Sequence, residues 1–261
     1  MKTGQAAKFL RKLKDSNSTG TGIGPTTAPT EVVDLTPGRV LARKYKLQKK
    51  LGEGGMGTAF RAIDLSAHRT VALKIAKGGL GASNDLKLKE RLKQEILAIA
   101  ACDHDNITDF HSSHMDEAIP FVVFQDLGDT NLGSLISSRS PLLTSCNTRI
   151  VAEDLLEALV HMHSKKWIHR DIKPSNIMWL QEGNTLRAKL IDFGIAKNLS
   201  EQANLMHTTT DVAPGTRLYM APMARENQLD ARNDLWSLAV TLAECLLYYC
   251  PNVAFDAGTM Q

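Results

Sequence analysis

The order of hydrophobic patterns along this sequence predicts an α+β fold, with strands gathered in its first half and the longer helices in its second. Three observations carry that expectation. From Tyr45 onward apolar and polar residues alternate, as they do in half-buried strands. Thr144–Lys166 and Asp230–Tyr249 instead repeat apolar residues at helical spacing. Between these two helical stretches, Trp167–Gly194 reads as two short hydrophobic strands and a polar loop. With 261 residues, 43% of them hydrophobic, the chain can bury a sizeable core and suits one large domain or a two-lobed one.

Residues 1–40 stand apart. The run S-N-S-T-G-T-G-I-G-P-T-T-A-P-T has no periodicity and too few apolar side chains to offset the entropy of ordering it, so a disordered tail is expected. Before it, Phe9, Leu10 and Leu13 lie among Lys8, Arg11, Lys12 and Lys14. Such a basic amphipathic turn suits a membrane-surface, docking or organelle-targeting segment, or a solvated tail; its shortness favours the tail. The net charge is only +3, which gives no argument for nucleic-acid binding. Cys102, Cys146, Cys245 and Cys250 show no C-x-x-C or metal spacing, and this suits a reducing, cytoplasmic setting. The longest apolar run, Leu235–Cys250, carries Glu244 and is too short for a membrane span, so it is expected to be a buried helix.

In the first half, strands are expected over Tyr45–Lys50 and Thr58–Leu65, joined by Leu51-Gly52-Glu53-Gly54-Gly55-Met56-Gly57. Gly52, Gly54 and Gly57 form G-x-G-x-x-G, whose bare backbone can approach phosphates and turn N–H groups toward them. A dinucleotide-binding loop has the same spacing but opens a helix; this one is followed by another strand. The next strand, Thr70-Val71-Ala72-Leu73-Lys74-Ile75, holds a lysine in an apolar run, which is costly without a partner. A helix expected over 85–101 supplies one. Leu88, Leu92, Ile96 and Ile99 form its stripe, and Glu95 falls on the same face, whereas Glu90 lies off it. The Gly-rich stretch Gly78–Ser83 reads as a connector. Two further strands are expected, Ile107–His111 and Phe121–Phe124.

The second half begins with a short helix over Asn131–Ser137 and a long one over Thr144–Lys166, near whose end His161 and His163 read as cap or packing residues. Then come His169-Arg170-Asp171-Ile172-Lys173-Pro174-Ser175-Asn176, a strand from Ile177, a strand ending at Ile191, and Asp192-Phe193-Gly194. A polar segment with Thr208-Thr209-Thr210 leads to Gly215-Thr216-Arg217-Leu218-Tyr219-Met220-Ala221-Pro222, and Asp234-Leu235-Trp236-Ser237-Leu238 opens the last helix.

Taken together, H-R-D-x-x-x-x-N, D-F-G, the glycine motif before a strand and V-A-L-K resemble the eukaryotic-type (Hanks-type) serine/threonine protein kinases. The resemblance covers Tyr45 to about Tyr249. It implies a two-lobed protein-kinase-like fold: a small, mainly antiparallel β lobe with one long helix over 45–127, and a larger, mainly helical lobe over 128–261, incomplete at its end. It also implies ATP and Mg²⁺. Asp171 would act on the substrate hydroxyl and Lys173 on the transferring phosphate, while Asn176 and Asp192 would hold the metal. Nucleotide contacts would come from Leu51, Gly52, Glu53, Gly54, Gly55, Met56, Gly57, Ala59, Ala72, Lys74, Glu95, Phe124, Met178 and the backbones of Gln125 and Leu127. Ala59 stands where the family usually has Val, and Met223 where it has the glutamate of A-P-E.

The partner implied is a protein carrying Ser or Thr, with Arg170 awaiting a phosphate on the threonine cluster. Leu238, Leu242, Cys245, Leu246 and Tyr249 make an apolar stripe that suggests self-association or a partner through 224–261. Two alternatives stand beside the kinase reading. One is a pseudokinase-like scaffold that binds nucleotide with little activity, suggested by Met223 and the short second lobe. The other is a small-molecule kinase, against which Lys173 and G-T-x-x-Y-M-A-P argue.

Overall fold

The computed structural model describes residues 35–54, 57–76, 95–115, 117, 119–183, 185–193, 196–198, 214–222 and 230–252. The chain divides into two compact units, one of Met1–Asp103 with Asp109–Asp126, the other of His104–Thr108 with Leu127–Gln261.

Unit 1 is built on a six-stranded antiparallel sheet: β1 (Val40–Leu41), β2 (Tyr45–Gly54), β3 (Gly57–Asp64), β4 (Arg69–Ala76), β5 (Phe110–His114) and β6 (Phe121–Gln125), ordered β1-β2-β3-β4-β6-β5. The period-2 alternation decides its faces. Tyr45, Leu47, Phe60, Ala62, Val71, Leu73, Ile75, Phe121 and Val123 are buried in one core, each large side chain contributing about 2 kcal/mol of burial. The opposite face carries Ala59, Arg61, Ala72, Lys74 and Phe124, joined across strands as Ala59 with Lys74, Arg61 with Ala72 and Ala72 with Phe124. Leu35 packs on the core, and Gly38 N–H donates to Leu47 O at 2.7 Å. Residues 35–40, expected at the end of the disordered tail, therefore belong to this unit.

Two expectations shift. The glycine stretch is not a separate loop, because β2 continues to Gly54 and β3 begins at Gly57, pairing Gly52 with Ala59. Backbone hydrogen bonds need no side chain, so the ladder persists, with irregular register at Leu47/Lys49 and Lys50/Gly52. The strand expected at Ile107–His111 begins instead at Phe110, because unit 2 claims the residues before it: Leu190 N–H donates to Asn106 O (2.8 Å) and Thr108 N–H to Leu190 O (3.0 Å). Of the helix expected over 85–101, residues 95–101 (α1) are described and helical, with Glu95, Ile96, Ala98 and Ile99 buried.

Unit 2 holds α2 (Leu132–Ser137), α3 (Ser145–Ser164), β7 (Trp167–Ile168), a 3₁₀ turn (Pro174–Asn176), the hairpin β8 (Ile177–Glu182) and β9 (Thr185–Leu190), β10 (Lys197–Asn198), a second 3₁₀ turn (Pro214–Tyr219) and α4 (Ala231–Leu247). The helix starts follow capping chemistry. Asn131, Thr144 and Asp230 each accept a first-turn backbone N–H. α3 buries Val151, Asp154, Leu155, Ala158, Leu159 and Met162 on one face. Asp154 Oδ2 accepts Ala188 N–H at 2.7 Å, tying this helix to β9. No helix among the described residues is long and apolar enough to cross a membrane.

α4 corrects the expectation of a wholly buried helix. Its inward face is Asp234, Ser237, Leu238, Thr241 and Cys245, spaced at three and four residues. Asp234 and Ser237 must face inward because their acceptors and donors are engaged there, and that rotation turns Leu235, Trp236, Leu246 and Leu247 outward, each more than two-fifths exposed. The expected apolar stripe thus splits: Leu238 and Cys245 are buried, Leu246 and Tyr249 exposed. Tyr219 Oη donates to Glu244 Oε2 (2.6 Å), and burial together with that carboxylate pushes the phenol well above its ordinary range.

Two expectations about stability follow from these contacts. Asp64 Oδ1 receives Ser66 N–H (3.0 Å), Ser66 Oγ–H (2.7 Å) and Ala67 N–H (3.1 Å), and Lys44 Nζ stands 3.3 Å from Oδ2. Burial works to raise this carboxyl, but the hydrogen bonds prevail and hold it down at about 2. A carboxyl depressed on folding stabilises above its unfolded pKa, and that stabilisation is lost as pH falls from about 4 toward 2. Urea melts of wild type and Asp64→Ala should differ by about 1–2 kcal/mol at neutral pH and converge at the acid end of that window. Asp234→Ala should cost more, about 3–5 kcal/mol by thermal or urea melt, because it strands a buried and a part-buried backbone N–H group; a melt within 1 kcal/mol of wild type (about one typical hydrogen bond) would show that the contacts around Asp234 are dispensable.

Candidate active site

The loop after β7 is shaped around Asp234. This carboxylate is fully buried; Oδ2 accepts His169 N–H (2.9 Å) and Oδ1 accepts Arg170 N–H (2.8 Å), while His163 Nε2 donates to Oδ2 at 2.8 Å. Arg170 has φ +70° and Asp192 φ +65°, left-handed conformations that cost a non-glycine residue about 1 kcal/mol or more and persist only where surrounding bonds hold them. His169 is also fully buried. Its Nε2–H donates to Ile191 O (3.2 Å) and its Nδ1 accepts Asp171 N–H (3.3 Å), an arrangement that requires the neutral ring. Burial lowers its pKa in the same direction. Phe193 packs edge-on against that ring, 4.8 Å between centroids, and is itself buried.

On this frame the predicted chemical groups come together. Lys173 Nζ donates to both Asp171 oxygens at 2.9 Å. Asn176 Nδ2 donates to Asp171 Oδ2 (2.9 Å) and to Asp171 O (2.8 Å). Asn176 spends its amide nitrogen on Asp171, and no hydrogen bond among the described residues engages its Oδ1. Ile191 N–H donates to Asn176 O (2.9 Å), which brings Asp192 beside the loop as the next residue in the chain. Met178, buried in β8, is bridged to Asn131, and Leu127 is half-buried.

Unit 1 assembles the other predicted group. Lys74 on β4 donates to both oxygens of Glu95 on α1 at 2.9 Å, with side-chain exposures of only 14% and 2%. Those values make it a desolvated pair, for which losing either partner is expensive. Ala59 and Lys74 are cross-strand neighbours, as are Ala72 and the buried Phe124. Among the described residues no heavy atom lies within 4 Å of where a Cβ would stand on Gly52 or Gly54, so the hairpin offers bare backbone there. Leu51 is half-buried, and Glu53 is exposed and ion-paired with Lys50. Gln125 N–H is committed to Asp109 O at 2.9 Å, so any base contact from Gln125 falls to its carbonyl.

Several expectations lie outside the described residues: Gly55, Met56, Gly194, the connector Gly78–Ser83, the threonines 208–210, Met223, and the Thr216 side chain. Three structural participants escape a motif reading. Asp154 could have been found by the logic that found Glu95, an acid on an apolar helical stripe. Asn106 donates to Ala188 O at 3.1 Å from the turn His104-Asp105-Asn106-Ile107, whose resemblance to the family's H-P-N-I gave Asn106 no role. Arg61 forms a two-pronged pair with Asp126, at 2.8 Å and 2.9 Å, and its signal was its place on the same strand face as Ala59.

Comparison with known families matches residues 45–256 to the protein kinase domain. Serine/threonine-protein kinase PknB of Mycolicibacterium smegmatis is 33% identical over 217 residues, which span 81% of this chain and 34% of that protein. Serine/threonine-protein kinase pkn3 of Myxococcus xanthus is 34% identical over 228 residues, 85% of this chain and 41% of that protein. Serine/threonine-protein kinase 1 of Arabidopsis thaliana is 28% identical over 235 residues, 90% of this chain and 26% of that protein. The chain thus spans about a third of the length of the PknB relatives it matches. With most of the chain matched and the catalytic-loop and Lys–Glu geometry in place, this protein belongs to the protein kinase domain family.

Proposed function

We propose that this chain acts as an ATP- and Mg²⁺-dependent serine/threonine protein kinase domain, moving the terminal phosphate of ATP to Ser or Thr hydroxyls of a protein. The observation that carries the reading is the arrangement at Asp171. A carboxylate offers about four acceptor positions; Lys173 and Asn176 take three, two on Oδ2 and one on Oδ1. Among the described residues one position on Oδ1 is left for an incoming hydroxyl, whose direction is thereby fixed. Phosphoryl transfer asks little covalent help and much positioning, so an oriented acceptor with an ammonium beside it suits that chemistry. The relatives' names support Ser and Thr as acceptors.

The donor set fits magnesium: Asn176 Oδ1 and the Asp192 carboxylate are hard oxygen ligands, and Mg²⁺ commonly takes only one or two protein ligands beside phosphate and water. No group of three His, Cys, Asp or Glu among the described residues suits a tighter-bound metal. When bound, Mg²⁺ neutralises triphosphate charge. Lys74, held by Glu95, is the candidate cation for the α- and β-phosphates, and the bare backbone at Gly52 and Gly54 for close approach. The scaffold alternative is disfavoured because Lys74, Glu95, Asp171, Lys173, Asn176 and Asp192 are all present. A cytoplasmic setting is supported by four free cysteines. Association through 224–261 is supported by the exposed Leu235, Trp236, Leu246, Leu247 and Tyr249.

Asp171→Asn should lower phosphotransfer on the order of a hundredfold or more while nucleotide binding persists, because Asp171 acts on the hydroxyl. Radiolabel transfer to generic protein substrates with phosphoamino-acid analysis reads this out; unchanged turnover overturns the kinase reading. Lys74→Met should abolish productive nucleotide binding and lower the melting temperature as well, since Glu95 is left buried without its cation. Wild-type behaviour in both assays would show that this pair serves neither nucleotide nor stability.

A further inference from the structure

Arg61 lies on the sheet face that carries Ala59, Ala72, Lys74 and Phe124, opposite the hydrophobic core. Its Nε and Nη2 donate to Asp126 Oδ2 (2.8 Å) and Oδ1 (2.9 Å), so the planar fork matches the carboxylate two-to-two. The pair is mostly removed from water, with side-chain exposures of 18% and 11%. To make it, Arg61 on β3 must cross β4 and reach the end of β6, about 9–10 Å away at ordinary strand spacing. Ala72 is its direct cross-strand partner on the way, and an alanine there leaves room for the guanidinium. Asp126 is the last residue of unit 1, and it sits between Gln125 and Leu127, the two residues whose backbones are the candidate contacts for the base. Gln125 is already fixed from the other side by its N–H bond to Asp109 O (2.9 Å). Two residues beyond Asp126, Gly128 has φ +84°, a turn that releases the chain direction.

We propose that Arg61 and Asp126 form a positioning clamp for nucleotide recognition, holding the backbone between Gln125 and Leu127 in register with the base. The inference rests on the kinase reading above and adds to it two residues that touch neither phosphate nor substrate hydroxyl. The clamp acts on the base end of the nucleotide, so its loss weakens ATP binding and base discrimination and leaves the transfer step intact. Ala72 belongs to the same device, because its small side chain opens the route for the guanidinium. Lys at 61 would keep the charge but not the fork.

The test compares wild type with Arg61→Lys, Arg61→Met, Asp126→Asn and the exchanged pair R61D/D126R. Binding of a fluorescent ATP analogue is measured with steady-state kinetics for ATP and GTP, and each variant's melt is recorded. The clamp predicts a KM for ATP and an analogue Kd raised about tenfold in Arg61→Met and Asp126→Asn, corresponding to the loss of one charge-assisted pair. It also predicts kcat within about twofold, a reduced preference for ATP over GTP, a smaller rise in Arg61→Lys, and partial recovery in the exchanged pair. If wild type binds the analogue and the variants do so equally well, or if kcat falls while KM and the ATP-to-GTP preference stay fixed, the clamp is wrong and the pair is structural. Arg61→Lys keeps this decision open should the Met variant fail to fold. If wild type itself binds no nucleotide, the kinase reading falls, and the clamp with it.

Discussion

A buried carboxylate with no exposed surface, Asp234, is the constraint on which the catalytic loop depends. Such a group is tolerable only when hydrogen-bond donors compensate its burial, and here His169 N–H, Arg170 N–H and His163 Nε2 supply three. These bonds determine where α4 can lie and which way it is rotated. They also hold Arg170 in a left-handed conformation that it would not keep alone. With the backbone turned there, Asp171 N–H reaches His169 Nδ1, and the neutral histidine passes the constraint on to Ile191 O and, through ring packing, to Phe193. A charge on one helix thereby places both Asp171, the candidate for the substrate hydroxyl, and the candidate metal ligand Asp192.

Unit 1 uses the same physics for another purpose. Lys74 and Glu95 are each unaffordable alone on an apolar surface and acceptable as a desolvated pair, so the strand and the helix are held in one relation. Because the ammonium already has its carboxylate, it is presented in a defined direction rather than searching for a counter-ion. Arg61 and Asp126 repeat the device at the other end of the same face, with the geometry of a fork instead of a point charge. The face between them is lined by alanines, Ala59 and Ala72, which leave room for a flat group.

The candidate catalytic groups were legible in the sequence because their chemistry restricts residue type at short, fixed spacing: His169 to Asn176 and Asp192 to Phe193 needed no tertiary information. Glu95 was legible for a different reason, a carboxylate on an apolar stripe that demanded a cation. The sheet was legible from alternation and the long helices from apolar spacing; the structure shows that Asn131, Thr144 and Asp230 cap the helix starts. What the sequence could not reveal were contacts set by distant competition. Ile107 and Thr108 look like the start of a strand of unit 1, yet β9 of unit 2 takes them, and only the register of Leu190 decides it. The sides of α4 were not legible because its apolar run reads only as a buried helix, whereas the polar demands of Asp234 and Ser237 decide which side faces inward.

That last case carries a general point about polar residues in helices of this kind. Burying Leu246 instead of leaving it half-exposed would gain about 1 kcal/mol, while turning Asp234 out of its site would strand a charge or two backbone N–H groups at several times that cost. The helix therefore orients by its most expensive group and not by its most apolar one. The same ordering explains the chain's path at 104–108. Leu190 carries a buried backbone N–H and C=O, and satisfying both with Asn106 and Thr108 outweighs two more residues of β5 ladder in unit 1. In this chain the polar groups that cannot be left unsatisfied fix the register, and the hydrophobic residues fill the surfaces that register leaves.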